Sequence, residues 1–158
     1  MLAFTLLIDR VNGMLTKRAK YGLKALLRLA QQHESGPMLI ADLAELDGIP
    51  RKFLEAILLD LNRHGLVLSR KGPGGGYLLR HPPDQITAGQ VIRVLDGPLA
   101  LVPCASQTAY QACDDCPDED DCAVRTLFKS VRDETARILD GTTLAAIADS
   151  ITTRKSLS

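Results

Sequence analysis

The chain has four cysteines, and all of them fall within nineteen residues: Cys104, Cys113, Cys116 and Cys122. The same segment carries Asp114, Asp115, Asp118, Glu119, Asp120 and Asp121. A thiolate is the reactive and metal-binding form of cysteine, and six carboxylates disfavour it by like-charge repulsion. The loop therefore makes poor sense as a bare reactive thiol site. A bound cation would offset the charge, so the pattern points to a metal centre. Thiolates suit iron–sulfur clusters and zinc. Four cysteines also satisfy zinc, but only Cys113 and Cys116 form a compact pair, where a zinc site commonly shows two. A cluster is the first expectation. Zinc and a thiol–disulfide switch stay open as alternatives. Structural disulfides fit poorly with a chain that shows no secretion signal.

The elements that must hold this loop follow from the rest of the chain. Its 158 residues suffice for one domain with a core, and 46% hydrophobic with 24% charged residues is an ordinary globular composition. No apolar run reaches the ~20 residues that cross a bilayer. There is no paired acid/base constellation and no nucleotide-binding motif, so an enzyme is not expected. Net charge is zero but unevenly spread. From Met14 to Arg80 there are eleven Lys and Arg against six Asp and Glu, and from His81 to Cys122 one Arg against eight acids. A basic front half suits a polyanion bound at one end only.

Five segments are expected. Residues 1–13 form an extra N-terminal arm, with Met14 as the natural start. Residues 14–82 form a winged helix-turn-helix. Residues 83–122 hold a linker helix and the cysteine loop. Residues 123–150 hold a long helix and a short terminal one. Residues 151–158 form a frayed tail. Within this plan, Leu23, Leu26, Leu27 and Ala30 mark a helix over Lys17 to Gln32. A short helix runs from Ile40 to Leu46 and ends at Gly48. The next begins at Pro50, carries Leu54, Ile57, Leu58 and Leu61, and stops at Gly65. Leu66 to Arg70 and Tyr77 to Arg80 are strands around a glycine-rich tip. Thr87 and Gln90 make a capping box for Ala88 to Leu95. Ala123 to Leu139 carries Val124, Leu127, Phe128 and Val131 on one face, and a terminal helix follows from Thr143 to about Ala148. His33, His64 and His81 are read as surface residues, and Tyr21 and Phe128 as core or interface.

Ala44, Gly48 and Ile49 supply the small residue, turn glycine and apolar plug of a helix-turn-helix. The second helix would enter the major groove by its N-terminal end, where Arg51 and Lys52 reach phosphates or base edges. Glu55 stands just behind them. Arg70 and Lys71 flank the wing, where Gly74 and Gly75 let backbone N–H groups approach phosphates. Arg18 joins them as a DNA contact.

Four stretches together resemble a known family: Leu15-Thr16-Lys17 through Tyr21, Ile49-Pro50-Arg51-Lys52-Phe53-Leu54-Glu55, Gly65-Leu66-Val67, and Gly72-Pro73-Gly74-Gly75-Gly76-Tyr77-Leu78-Leu79. The chain from about Met14 to Ser150 is similar to the bacterial winged-helix regulators of the Rrf-two superfamily, and in particular to its IscR-like iron–sulfur members. The fold class is thus mainly α with a small β-hairpin wing and a long C-terminal dimerisation helix. The resemblance implies a cytoplasmic homodimer, off the membrane, that represses or activates from double-stranded operator DNA within reach of RNA polymerase. It implies an iron–sulfur cluster, 2Fe–2S ahead of 4Fe–4S, with Cys104, Cys116 and Cys122 as its ligands and Cys113 as an extra. The histidine that serves as fourth ligand in those members is Arg125 here, which cannot bind metal. Cys113, a loop carboxylate or a residue of the second protomer is left to complete the set. The wing arginine of those members is Lys71 here.

Overall fold

Thr16 starts the first helix by accepting the Ala19 N–H on its hydroxyl at 3.2 Å, an N-cap that satisfies one of the orphan donors of the first turn. In the computed structural model, which describes residues 15–156, the elements run in the order α1 (Lys17–Gln31), α2 (Ile40–Asp47), α3 (Arg51–Arg63), β1 (Val67–Arg70), β2 (Gly76–Leu79), α4 (Ala88–Leu95), α5 (Ala123–Asp140) and α6 (Leu144–Ser156). The fold is mainly helical with one antiparallel hairpin. The N-terminal arm and the start at Met14 lie outside the described residues. Among those described, no helix is long and apolar enough to cross a membrane.

Helices α1, α3 and α4 enclose the core, with α2, the hairpin and α6 closing its sides. The stripe of α3 is the expected one: Leu54, Ile57, Leu58 and Leu61 are all fully buried. The stripe of α1 is centred elsewhere. Ala19, Gly22, Ala25, Leu26 and Leu29 face inward, while Leu23, Leu27 and Ala30 are only half-buried at the rim. The reason is close helix approach. A Cβ on Gly22 would lie 2.2 Å from Leu95 Cδ1 of α4 and 3.3 Å from Ile57 of α3, so that contact requires a residue without a side chain.

The hairpin pairs Val67 with Leu79 and Arg70 with Gly76. It is tied to the loop before α2 by two hydrogen bonds, Met38 N–H to Tyr77 C=O at 2.9 Å and Tyr77 N–H to Met38 C=O at 2.7 Å. Gly76 makes this possible. Its φ is 143°, and a Cβ there would stand 2.3 Å from the Met38 carbonyl oxygen.

The expected capping box at Thr87 and Gln90 is present, with both reciprocal bonds formed. Paired backbone bonds, Ala88 N–H to Thr142 C=O and Leu144 N–H to Ile86 C=O, each 2.9 Å, anchor the start of α6 beside α4. A second tie is ionic. Arg93 of α4 grips Asp140 at the end of α5 with two bonds of 2.5 and 2.9 Å. Gly89 leaves the space, since a Cβ there would meet Asp140 Oδ1 at 2.0 Å. The last helix runs to Ser156, well past the expected end near Ala148 and through the stretch expected to fray. No proline or glycine follows Gly141 to stop it, and Thr152 and Thr153 direct their hydroxyls to the carbonyls of Ala148 and Asp149, four residues back.

Two outcomes follow from these ties. Gly76→Ala forces both the strained φ and the clash with Met38, and lowers unfolding stability by roughly 1–3 kcal/mol, read as a drop in the urea midpoint. Asp140→Asn lowers the melting temperature at neutral pH. The Arg93 hydrogen bond holds the Asp140 carboxyl below its usual range. Its stabilisation is therefore complete above the unfolded carboxylate value of about 4 and fades as pH falls through the depressed one. The two melting temperatures converge in acid, which parallel thermal scans at neutral and acidic pH record.

Candidate nucleic-acid interface and cysteine centre

The turn between α2 and α3 is built as a helix-turn-helix requires. Gly48 caps α2 in the left-handed region at φ 62°, the Ile49 N–H returns to the Ala44 carbonyl at 2.9 Å, and Ile49 is buried. Pro50 then accepts the N–H groups of Phe53 and Leu54 at 3.0 Å, which starts α3 with Arg51 and Lys52 exposed on its first turn. Phe53 meets Tyr21 of α1 edge-on, with ring centroids 5.8 Å apart. That contact aims the exposed end of α3. It was missed as a positioning pair, although both residues lie in the motifs already quoted. Glu55 holds Arg51 by a 3.3 Å ion pair.

Arg70 and Lys71 are exposed at the base of the hairpin tip. Gly72 and Gly74 take positive φ values of 87° and 72° there. Gly74 is exposed, but Gly75 is buried, and its N–H is taken up by the Gly72 carbonyl at 2.9 Å. Gly75 therefore closes the turn. A Cβ on it would sit 2.4 Å from the Arg70 carbonyl oxygen. Arg18 is ion-paired with Asp60 of α3, which Arg63 also approaches at 3.6 Å. The three histidines are exposed, and His64 Nδ1 lies 2.8 Å from the Asp60 carbonyl oxygen.

All four cysteines line one cavity of about 220 Å³, walled also by Val102, Pro103, Glu119 and Arg125. It sits at the N-terminal end of α5. Cys104 comes from a short turn, Pro103–Ala105, and Cys122 is the N-cap of α5. The thiols differ in character. Cys113 hydrogen-bonds the Asp115 carboxylate, and that contact pushes its pKa up to about 11. The Cys116 thiol is raised, chiefly by its hydrogen bond with Cys122. The Cys122 thiol is lowered, chiefly because the Arg125 backbone N–H points at it from 3.4 Å. A loop carboxylate thus suppresses thiolate at Cys113, while the start of a helix favours it at Cys122.

Five of the loop's six carboxylates are exposed. Glu119 turns inward, where the Tyr110 hydroxyl and Arg125 hold it. The donor chemistry of the cavity fits a group held by thiolates. Among the described residues, no three Cys, His, Asp or Glu side chains stand together in the geometry of a metal-ion site. The structure therefore shows the donors gathered on one wall set, not a finished coordination sphere.

Comparison with known proteins agrees with this architecture. A family model, Rrf2, described as an iron-dependent transcriptional regulator, matches residues 15–150. The chain is 42% identical over 134 residues to an rrf2-like HTH-type transcriptional regulator of Rhodobacter capsulatus, a match covering 83% of this chain and 89% of that one. It is 34% identical over 135 residues to the transcriptional regulator IscR of Cronobacter sakazakii, covering 85% and 80%. The solved structure of CymR, named the global cysteine regulator of B. subtilis, superposes with a TM-score of 0.72 at 34% identity, over 86% of this chain and 96% of that one. The chain belongs to the Rrf2 family of transcriptional regulators.

Proposed function

We propose that this chain is a cytoplasmic, operator-binding homodimer whose hold on DNA is set by an iron–sulfur cluster on the cysteine loop. It is a regulator and not an enzyme. The observation that carries the reading is the shared cavity: the chain's four cysteines, drawn from a turn, a loop and a helix cap, face one space at the end of α5. Cys104, Cys116 and Cys122 would hold the cluster, with Cys113 as the fourth or accessory ligand. The bound group would supply a centre sensitive to iron and to oxidation. A 2Fe–2S cluster is the first expectation.

The dimer would form through α5. None of its residues is buried, and Val124, Leu127 and Ile138 are each more than half exposed. A long apolar stripe left in water marks an interaction face. Arg51 and Lys52 would meet the major groove, and Arg70, Lys71 and the Gly74 backbone the adjoining phosphates. Arg18 would join them only by leaving Asp60. In this division residues 14–82 read DNA, 83–122 sense and 123–150 dimerise.

A second reading keeps the DNA interface and replaces the cluster by a thiol switch. The lowered Cys122 thiol beside the raised Cys116 thiol favours it, as does likeness to a protein named a cysteine regulator. Anaerobic purification separates the two. The cluster reading expects coloured protein with iron and sulfide, and visible absorption that Cys104→Ala and Cys122→Ala abolish. Colourless protein after reconstitution, with four thiols that fall to two on mild oxidation, would establish the switch instead. Zinc in place of iron would show directly in the metal analysis.

The DNA interface has its own measurement. Arg51→Ala and Lys71→Ala each weaken operator binding, and each lowers the slope of log affinity against log salt by about 0.9 per lost phosphate contact. Arg51→Ala also relaxes base preference if the side chain reads an edge, by about 1–3 kcal/mol of discrimination. Unchanged affinity and slope in both variants would move the interface elsewhere.

A further inference from the structure

Two arginines of α5 grip successive carbonyls of the turn that carries Cys104. Arg125 Nε donates to the Cys104 carbonyl at 3.2 Å, and Arg132 Nη1 donates to the Ala105 carbonyl. The two stand seven residues apart, so a helix brings them to one face. Both side chains are largely buried, at 15% and 13% exposure, which long cationic residues rarely accept without partners. Arg125 reaches further. Its Nη1 donates to the Glu119 carbonyl at 3.3 Å and meets the Asp120 carboxylate at 3.4 Å, and its Nη2 lies 3.5 Å from the Glu119 carboxylate. One guanidinium therefore ties both ends of the cysteine loop, the Cys104 turn and the Glu119–Asp120 bend, to α5. It is also the one cation among the residues lining the cavity.

We infer that Arg125 and Arg132 are positioning residues for the cysteine centre. They clamp Cys104 onto α5 opposite Cys122, and Arg125 supplies the positive charge that lets several thiolates share one cavity. The fork of a guanidinium suits this task. It offers donors in fixed directions to two carbonyls at once and cannot lose its charge. Without it, Arg132 would be left as the arginine of α5 that grips the Cys104 turn, and the cavity lining would carry Glu119 with no cation. The inference rests on the cysteine loop being the sensing centre, and it assigns the α5 position to charge and alignment, with ligation left to the loop.

Site-resolved alkylation of the reduced, metal-free protein with iodoacetamide tests the clamp. Arg125→Gln and Arg132→Gln each speed modification of Cys104 by about fivefold, the factor that about 1 kcal/mol of lost hydrogen bonding corresponds to. Cys113, already exposed, keeps its rate. Far-UV circular dichroism confirms that the helices persist, and Arg132→Lys, which retains one donor and the charge, restores part of the protection. Unchanged Cys104 rates in both Gln variants would overturn the clamp. Anaerobic reconstitution tests the charge. Arg125→Gln loses most of the visible cluster absorption, and Arg125→Lys recovers part of it. Equal yield and lifetime in Arg125→Gln and the unmodified protein would overturn the charge role. If the unmodified protein takes up neither iron nor sulfide, the cluster reading falls and the charge role with it, while the alkylation pattern still decides the clamp.

Discussion

The seat of α1 on α4 fixes everything else in the molecule. Thr16 caps α1 and at the same time donates its N–H and its hydroxyl to Asp96, so the start of one helix and the end of the other share a carboxylate. Two turns along α1, Gly22 lets Leu95 come close enough to be buried between the helices. A hydrogen bond to a charged group contributes about 1.5–3 kcal/mol and a buried leucine a similar amount. Exposed ion pairs such as Arg51–Glu55 contribute about 0–1 kcal/mol and cannot compete with that seat. The consequence is geometric. Helix α1 aims α3 through Tyr21 and Phe53, and α4 ends where the chain departs toward Cys104. The exposed N-terminal end of α3 and the start of the cysteine segment are therefore placed by the same contact.

Much of this was legible in the sequence wherever local chemistry decides the outcome. Thr87 and Gln90 announce a cap whatever surrounds them, and Gly48 and Gly72 need backbone shapes that other residues resist. The stripe of α3 was legible because its large residues are the ones that face inward. The stripe of α1 was not, because a helix packed closely on two others presents its small residues to them. Of the leucines that mark the expected stripe, Leu26 faces inward while Leu23 and Leu27 stand at the rim. The extension of α6 to Ser156 was hidden for a different reason: its polar threonines satisfy themselves on the helix's own carbonyls. At the site, the sequence showed four thiols and six acids but not which acid turns inward. Glu119 does so because Tyr110 and Arg125, nine residues before and six after it, close on it from both sides. Gly75 reads as a backbone donor for phosphate, and in the structure its N–H is taken up by the Gly72 carbonyl within the turn.

The charge of the cysteine loop has a structural logic. Five of the six carboxylates stand in water, where exposed charges interact weakly. Inside, the balance is different. Arg125 faces the carboxylate of Glu119, and backbone N–H groups at the start of α5 face Cys122. Positive potential is thus gathered on the α5 side and negative potential on the solvent side. A group built from thiolates is best placed where those two fields meet, which is where the cavity lies.

Helix α5 is the element on which these constraints converge. It is 18 residues long, about 27 Å at 1.5 Å per residue. Its C-terminal end is pinned to α4 by the Arg93–Asp140 pair, which Gly89 makes room for. Its N-terminal end is tied to the cysteine loop by Cys122 as cap and Arg125 as grip, and Arg132 at mid-helix holds the Cys104 turn. The neighbouring face carries Val124, Leu127 and Ile138 into solvent. Any movement of that loop would act on the near end of α5 first, because the far end is tied to α4. In the proposed dimer Val124 and Leu127 at the loop end and Ile138 near the pinned end would face the second copy. The two recognition helices of such a dimer would have to match half-sites about 34 Å apart, so their separation would decide whether both enter the groove together.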